Sequence, residues 1–210
     1  MSVKDYLLSQ HRRVEATAFI NEKLSHSLIA DTCLAYLLQF NNLDMLNRNT
    51  IENFPLARYA AEYWIAHVKS AGYEWDDTRK KLVMTLFDPQ CTASLVSWLR
   101  LRNIEQPWYS PQWNLMKVEL SAIHCASLAG LLPLVQALIE NGADVNALGG
   151  YYGNALQAAS YKGHEAIVGM LLENGADVNA QGGKYGSALQ AASFRGHEAI
   201  VSMFLKKGAV

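Results

Sequence analysis

The stretch Tyr152-Gly-Asn-Ala-Leu-Gln-Ala-Ala-Ser160 decides the fold, because it returns as Tyr185-Gly-Ser-Ala-Leu-Gln-Ala-Ala-Ser193, 33 residues further along the chain. A weaker copy, Ser-Ala-Ile-His-Cys-Ala-Ser, occupies residues 121–127, one period upstream. Gly142-Ala-Asp-Val-Asn-Ala147 matches residues 175–180 in the same register. A fixed period of this length indicates a solenoid in which each repeat is one supersecondary unit stacked on its neighbours.

Each repeat predicts two short antiparallel helices and a projecting loop. Asn154 or Ser187 can N-cap the first helix, whose alanines allow neighbouring repeats to approach closely, and Gly163 can end it in a left-handed conformation. The second helix opens near His164 and closes at Gly175. Its apolar stripe, which must be covered by stacking, consists of Ile167, Val168, Leu171 and Leu172.

The run Gly163-His-Glu-Ala-Ile-Val168, followed by Leu171-Leu-Glu-Asn-Gly-Ala-Asp-Val-Asn-Ala180, resembles the ankyrin-repeat consensus. The resemblance implies an all-α fold, with an N-terminal helical domain followed by a short ankyrin-repeat solenoid. The family's usual Thr-Pro-Leu-His is replaced by Asn154-Ala-Leu-Gln157 and Ser187-Ala-Leu-Gln190, so Gln157 and Gln190 are expected to make the hydrogen bonds across the loop.

The first repeat departs from this pattern. Leu131 stands where His164 and His197 stand in the later repeats, and no Gly-Gly pair precedes it. An apolar residue at that position predicts packing against the domain before the array. The repeats are expected at about 118–150, 151–183 and 184–210, within a unit covering residues 114–210.

Residues 1–113 show helical periodicity without repeats and predict a helical connector domain. We expect helices over 26–40, over 55–72 with Pro55 at the first helical position, after an N-cap at Asp76 or Asp77, and over 94–101. Two prolines within residues 105–111 mark the boundary between the domains.

Two segments of this connector, residues 26–37 and 54–64, resemble the region that joins the nucleotide-binding core to the ankyrin array in fungal NACHT-type signalling ATPases. Residues 2–9 resemble the end of a helix that begins further upstream. The resemblance implies a chain cut at both ends from a larger ATPase. It also implies a sensor and regulatory role, in which the repeats recognise a ligand and the connector passes on the state.

Composition excludes several classes of partner. Eighteen basic and nineteen acidic residues give a net charge of -1, so no single-sign field is available for nucleic acid or an anionic membrane. Cys33, Cys91 and Cys125 are odd in number and far apart, which favours a reducing compartment and buried thiols. The apolar runs are too short for a secretory signal or a membrane span. We therefore expect a cytoplasmic protein.

The motifs that come nearest to known catalytic patterns are incomplete, so we expect no enzymatic activity, no metal and no cofactor. Gly183-Lys184 is followed by Tyr185, which breaks the phosphate-binding loop pattern. His164-Glu165 and His197-Glu198 lack the second histidine that a zinc protease needs four residues later. Because these histidines recur with the repeat, we expect both to be structural and to bond backbone at the helix start.

The expected function is protein binding, through the loop tips and the exposed end of each first helix. Aromatic and basic residues there are typical interface anchors. The candidate residues are Tyr151, Tyr152, Tyr161, Lys162, Lys184, Tyr185, Phe194 and Arg195. Tyr152 and Tyr185 have an alternative role, which is to pack the loop. Two alternatives to a free-standing binder stay open: a structural fragment of a NACHT-ankyrin ATPase without independent binding, and self-association through an uncapped C-terminal repeat.

Overall fold

The computed structural model describes residues 22–42, 45–46, 49–72, 74–88, 92–102 and 121–209. Its N-terminal half consists of helices α1 (Glu22–Leu38), α2 (Ala57–Ala71), α3 (Asp77–Leu86) and α4 (Thr92–Leu101), with a short 3-10 turn at Ile51–Asn53. The N-terminal segment at 2–9 and the boundary at 105–111 fall outside the described residues, as does Cys91.

Three aromatic residues form the centre of the N-terminal helices. Trp98 of α4 lies with its ring centroid 5.6 Å from those of both Trp64 and Phe87, and all three side chains are fully buried. The indole of Trp98 also donates a hydrogen bond of 3.0 Å to the carbonyl of Ala61. Aromatic burial of this extent joins α2, α3 and α4 into one core.

The helices start at slightly different residues from those expected. Helix α1 begins four residues earlier than predicted, and α2 begins at Ala57 because Pro55 and Leu56 form a turn before it. Asp76 caps α3 as expected, since its carboxylate accepts from the N–H of Arg79 at 2.8 Å. In α1 and α2 and the turn between them, Ile29, Leu56, Tyr59 and Tyr63 are exposed, whereas Ala57, Ala60, Trp64 and Val68 are buried.

The repeat half contains three helix pairs. They are α5 (Ala122–Ala129) with α6 (Leu132–Glu140), α7 (Ala155–Lys162) with α8 (Glu165–Glu173), and α9 (Ala188–Arg195) with α10 (Glu198–Lys206). A hairpin of two-residue strands, β1 (Leu148–Gly149) and β2 (Gly153–Asn154), projects before α7, with Leu148 opposite Asn154. Helix α6 contacts α3, and Leu131 at its start is fully buried.

The repeated first helices begin and end as the sequence predicts. The side chain of Asn154 accepts from the N–H of Gln157 at 2.9 Å, and Ser187 accepts from Gln190 at 3.2 Å. In return, the backbone N–H of each cap residue donates to the Oε1 of the glutamine, which completes a capping box. Gly163 ends α7 with a φ of 77°, the left-handed geometry expected of it.

Gln157 also makes the bonds across the loop that its position in the repeat predicts. Its Nε2 donates to the carbonyl of Gly186 at 2.9 Å, and the carbonyls of Gly182 and Ala180 also accept from it at 3.2 Å and 3.3 Å. Asn146 makes a second bridge between repeats, donating to the carbonyl of Gly175 and accepting from the next repeat's backbone. Asn146 thus joins repeats 1 and 2, and Gln157 joins repeats 2 and 3, so polar contacts as well as apolar packing hold neighbouring repeats together.

The histidines at the start of each second helix are structural, but their expected partner was wrong. His197 Nε2 lies 3.1 Å from the carbonyl oxygen of Tyr161, and His164 is hydrogen-bonded to the carbonyl of Leu128. Each imidazole thus bonds the first helix of the preceding repeat rather than its own helix start. The close fit needs glycine: a Cβ at Gly130 or Gly163 would lie 2.6 Å from the histidine ring of the next repeat.

Candidate binding surface

Five aromatic residues gather on one side of repeats 2 and 3, where each first helix ends. Tyr161 and Phe194 come from the last turns of α7 and α9, and the others come from the loops that precede those helices. We call this set the aromatic cluster: Tyr151, Tyr152, Tyr161, Tyr185 and Phe194. Tyr152 and Tyr185, 33 positions apart in sequence, stack with ring centroids 6.2 Å apart because the array superimposes equivalent positions of successive repeats.

The rings of the cluster are in direct contact. The Tyr161 ring is stacked on Tyr185 with centroids 5.0 Å apart and planes 21° apart, and it lies 4.5 Å from Tyr152. Phe194 extends the series, 4.9 Å from Tyr185. Tyr151 packs edge-on against Tyr152 at 5.2 Å. These distances are those of favourable aromatic pairs, so the side chains are held in place before any partner arrives.

Two cations lie against the central ring. The Lys162 Nζ is 5.7 Å from the Tyr161 centroid, and the Arg195 guanidinium carbon is 5.0 Å from it. A hydrogen bond with Tyr185 lowers the pKa of Tyr161, and the Arg195 and Lys162 charges act in the same direction. Burial raises the pKa of Tyr185 to about 12, with its hydrogen bond to Tyr161 adding to the rise.

The predicted binding residues differ in how far they are exposed to solvent. Phe194 is 68% exposed and Arg195 is exposed, whereas Tyr151, Tyr161, Lys162 and Tyr185 are half-buried. Tyr152 is 2% exposed, so its role is to pack the loop beneath the cluster. Lys184 is exposed at the loop tip, and its backbone N–H donates to the Tyr151 carbonyl at 3.0 Å, which ties the two loops together.

Comparison with known proteins decides the family. A family model for ankyrin repeats matches residues 92–182 and 123–210 of the chain. The chain belongs to the ankyrin-repeat family. It is also similar to the azaphilone pigments biosynthesis cluster protein L of Monascus ruber, at 39% identity over 172 residues, which are 75% of this chain and 36% of that protein. The chain thus spans well under half the length of this relative.

Membership of the family makes protein interaction the general expectation. Ankyrin arrays are as a rule non-catalytic modules that present an extended surface to another protein. The aromatic cluster lies on the ankyrin loops and first helices, the part of each repeat that carries variable side chains. No helix in the described part of the chain has the length and apolar character needed to cross a membrane.

Sequence reasoning missed two cations that extend this surface onto the N-terminal helices. Lys69 lies in the last turn of α2, next to the repeats. Its Nζ is 3.0 Å from the place that a Cβ would take if Gly130 carried one. Arg102 follows α4 and donates to the carbonyl of Glu62. Desolvation lowers the pKa of Lys69, and the charges of Arg102 and Lys162 lower it further. No local sequence signal links these residues to the repeats, because folding alone brings them together.

His26 and His67 contact each other across the first two helices. His26 Nδ1 and His67 Nδ1 lie 2.7 Å apart, and the Tyr59 hydroxyl is 3.0 Å from the other nitrogen of His67. Burial, and then the neighbouring His26, lower the pKa of His67. Among the described residues, no three histidine, cysteine or acidic side chains are grouped so that they could hold a metal ion. The pair is a structural contact between α1 and α2.

A second surface is apolar and lies between α1 and α2. It is a shallow groove of about 230 Å³, lined by Leu28, Ile29, Thr32, Cys33, Tyr36, Leu56, Tyr59 and Ala60. Leu28 is 61% exposed and Leu56 is 57% exposed. Side chains of this size are seldom left in contact with water over a continuous patch, so the groove is a candidate contact with another part of a larger assembly.

Proposed function

We propose that this chain is a non-enzymatic module that binds a protein partner through the aromatic cluster and the adjoining cations. The observation that supports this most is the packing of Tyr161 between Tyr185 and two cationic side chains, beside an exposed Phe194. Preformed aromatic and arginine contacts are the commonest sources of binding energy at protein interfaces. Rigid tyrosines also lose little conformational entropy when a partner orders them.

The test begins with a partner identified by affinity capture on the purified chain and then produced in pure form. Its Kd is measured by calorimetry with wild type and with the double variant Tyr161→Ala/Phe194→Ala. Loss of two anchors should weaken binding by about 10- to 100-fold. The matched control, Glu173→Ala/Lys206→Ala, alters exposed residues of the second helices and should leave the Kd unchanged. Equal affinities for all three proteins would place the interface elsewhere.

We further propose that the module is the sensor and regulatory part of a signalling protein of the fungal NACHT type, with a connector at 1–113 and the array at 114–210. The resemblance of residues 26–37 and 54–64 supports this, as does the length of the relative, of which this chain spans 36%. The apolar groove between α1 and α2 is a suitable contact for a further domain. An upstream reading frame without a phosphate-binding loop would contradict the proposal.

Self-association is a second candidate, favoured by the face of the third repeat that points away from the second. Leu156 and Ser160 are fully buried in repeat 2, but their equivalents Leu189 and Ser193 are half-buried and exposed in repeat 3. Leu205 is 61% exposed. Analytical ultracentrifugation across a hundredfold concentration range should show association that Leu205→Lys removes. A monomer at every concentration would contradict it.

A further inference from the structure

Four cationic side chains from four helices converge at the edge of the aromatic cluster. They are Lys69 of α2, Arg102 after α4, Lys162 of α7 and Arg195 of α9, and we call them the cation cluster. Lys69 Nζ and the His164 ring both lie against Gly130, 3.0 Å and 2.6 Å from the place that a Cβ there would take, and Lys162 and Arg195 both lie over the Tyr161 ring. Burial lowers the pKa of Lys69 and of Lys162, and the charges of neighbouring cations, Arg102 among them, lower both further.

Among the residues that the structure describes, no ion pair neutralises this charge. Arg79 pairs with Asp31 and His26 with Glu22, so these two ion pairs of the described residues use none of the four cations. Glu62 exerts a favourable charge on Arg102, but their hydrogen bond uses the Glu62 backbone carbonyl. Four positive charges held close together repel one another and raise the free energy of the folded state, and the Glu62 charge favours Arg102 alone among them.

Helix dipoles explain part of the arrangement but not its convergence. Lys69, Lys162 and Arg195 each lie in the last turn of a helix, where a cation is stabilised by the helix dipole. The helix dipole would stabilise each of these cations equally well if the three helix ends were far apart. Their meeting adds only repulsion, so it calls for a negatively charged occupant.

We propose that the cation cluster binds an acidic segment of the protein partner. This inference rests on the proposed function and specifies the chemistry of the partner. Carboxylates of an extended aspartate- or glutamate-rich stretch would pair with the cations of α2 and α4 and continue onto Lys162 and Arg195, beside the rings of Tyr161 and Phe194. The occupant therefore bridges the N-terminal helices and the ankyrin array.

A polypeptide fits this site better than a nucleic acid. Four cations are fewer than the roughly six to ten phosphate contacts that typical DNA-binding proteins make, and the whole chain carries a net charge of -1. The aromatic rings are stacked on one another, so they are not spread out as platforms for successive bases. An acidic peptide needs only a few charges and an apolar contact.

The test uses fluorescence anisotropy of the full chain with a labelled peptide of ten glutamates and a control peptide of ten glutamines. We expect binding of the glutamate peptide that weakens as salt rises, and binding of the glutamine peptide at least tenfold weaker. The double variant Lys69→Gln/Arg102→Gln should bind the glutamate peptide about fivefold less tightly. The control Lys80→Gln/Lys81→Gln, on exposed positions of α3, should bind it like wild type.

Three results would overturn the inference: equal binding of both peptides, equal losses in the two double variants, or tighter binding of a ten-residue oligothymidylate than of the glutamate peptide. Circular dichroism verifies that each variant is folded. The proposed function is tested separately by Tyr161→Ala/Phe194→Ala with the purified partner. If that variant loses the partner while wild type ignores the glutamate peptide, the acidic-segment inference fails and the binding surface stands.

Discussion

Gln157 and Gln190 offer a natural comparison, because the same residue occupies the same place in two repeats and only one of them has a repeat stacked after it in the described chain. Both complete a capping box, a contribution of about 1 kcal/mol. Gln157 is 2% exposed, and its two amide hydrogens serve three carbonyls of the next loop. Two buried hydrogen bonds add about 2 kcal/mol net. Gln157→Ala should therefore lower the free energy of unfolding by about 3 kcal/mol, and Gln190→Ala by about 1 kcal/mol.

Urea unfolding followed by circular dichroism at 222 nm measures the difference. With a urea dependence of about 2 kcal/mol per molar, the midpoint of Gln157→Ala should lie about 1 M below that of Gln190→Ala. Amide hydrogen exchange should localise the effect, with Gly182 exchanging faster in Gln157→Ala, since its N–H bonds the carbonyl of Gly186 in the same loop. Equal midpoints for the two variants would refute the idea that this glutamine joins neighbouring repeats.

Three further predictions follow from single positions. Burial lowers the pKa of His164 to about 4, so the unfolded chain takes up a proton at a higher pH than the folded chain does. The free energy of unfolding should therefore fall by about 1–2 kcal/mol between pH 6.5 and pH 4. Thermal melts of His164→Gln over this pH range should lack that part of the pH dependence. Arg79→Ala leaves the carboxylate of Asp31 unpaired and should cost about 3 kcal/mol in urea unfolding. Gly163→Ala should lower the melting temperature by several degrees, because Gly163 has a left-handed φ and a Cβ there would clash with the ring of His197. Gly169→Ala, inside α8 and facing open space, should raise the melting temperature slightly.

The array could be predicted closely from the sequence because its information is local and repeated. The capping residues Asn154 and Ser187, the helix-ending Gly163 and the apolar stripe of α8 each act within a few residues of themselves. Because the same residue types recur at equivalent positions of the next repeat, each structural prediction is supported twice. The bridging role of Gln157 was likewise predictable, because the residue replaces a histidine whose position in the repeat is known.

Contacts between elements distant in sequence were the part that could not be predicted. The partners of His164 and His197 lie 36 residues away in the preceding repeat, although both residues were correctly judged to be structural. Tyr152 and Tyr185 were both expected at the binding surface as loop-tip residues, with packing of the loop as the alternative, but stacking buries Tyr152 and leaves Tyr185 half-buried. Lys69 reaches the surface from a helix without any repeat pattern, and no periodicity could have signalled it.

Binding and stability are coupled in this chain because the proposed surface exists only when repeats 2 and 3 are docked. Tyr161 belongs to the second repeat, whereas Tyr185 and Phe194 belong to the third. The ring contact between Tyr161 and Tyr185 crosses the interface that Gln157 also bridges. A partner that needs both repeats has an apparent affinity reduced by the fraction of molecules in which they are docked. Changes at Gln157, which is nearly inaccessible to a partner, should therefore weaken binding in proportion to the population they undock. The partner should in turn protect the loop around Gly182 from hydrogen exchange, since binding and docking stabilise each other by the same free energy.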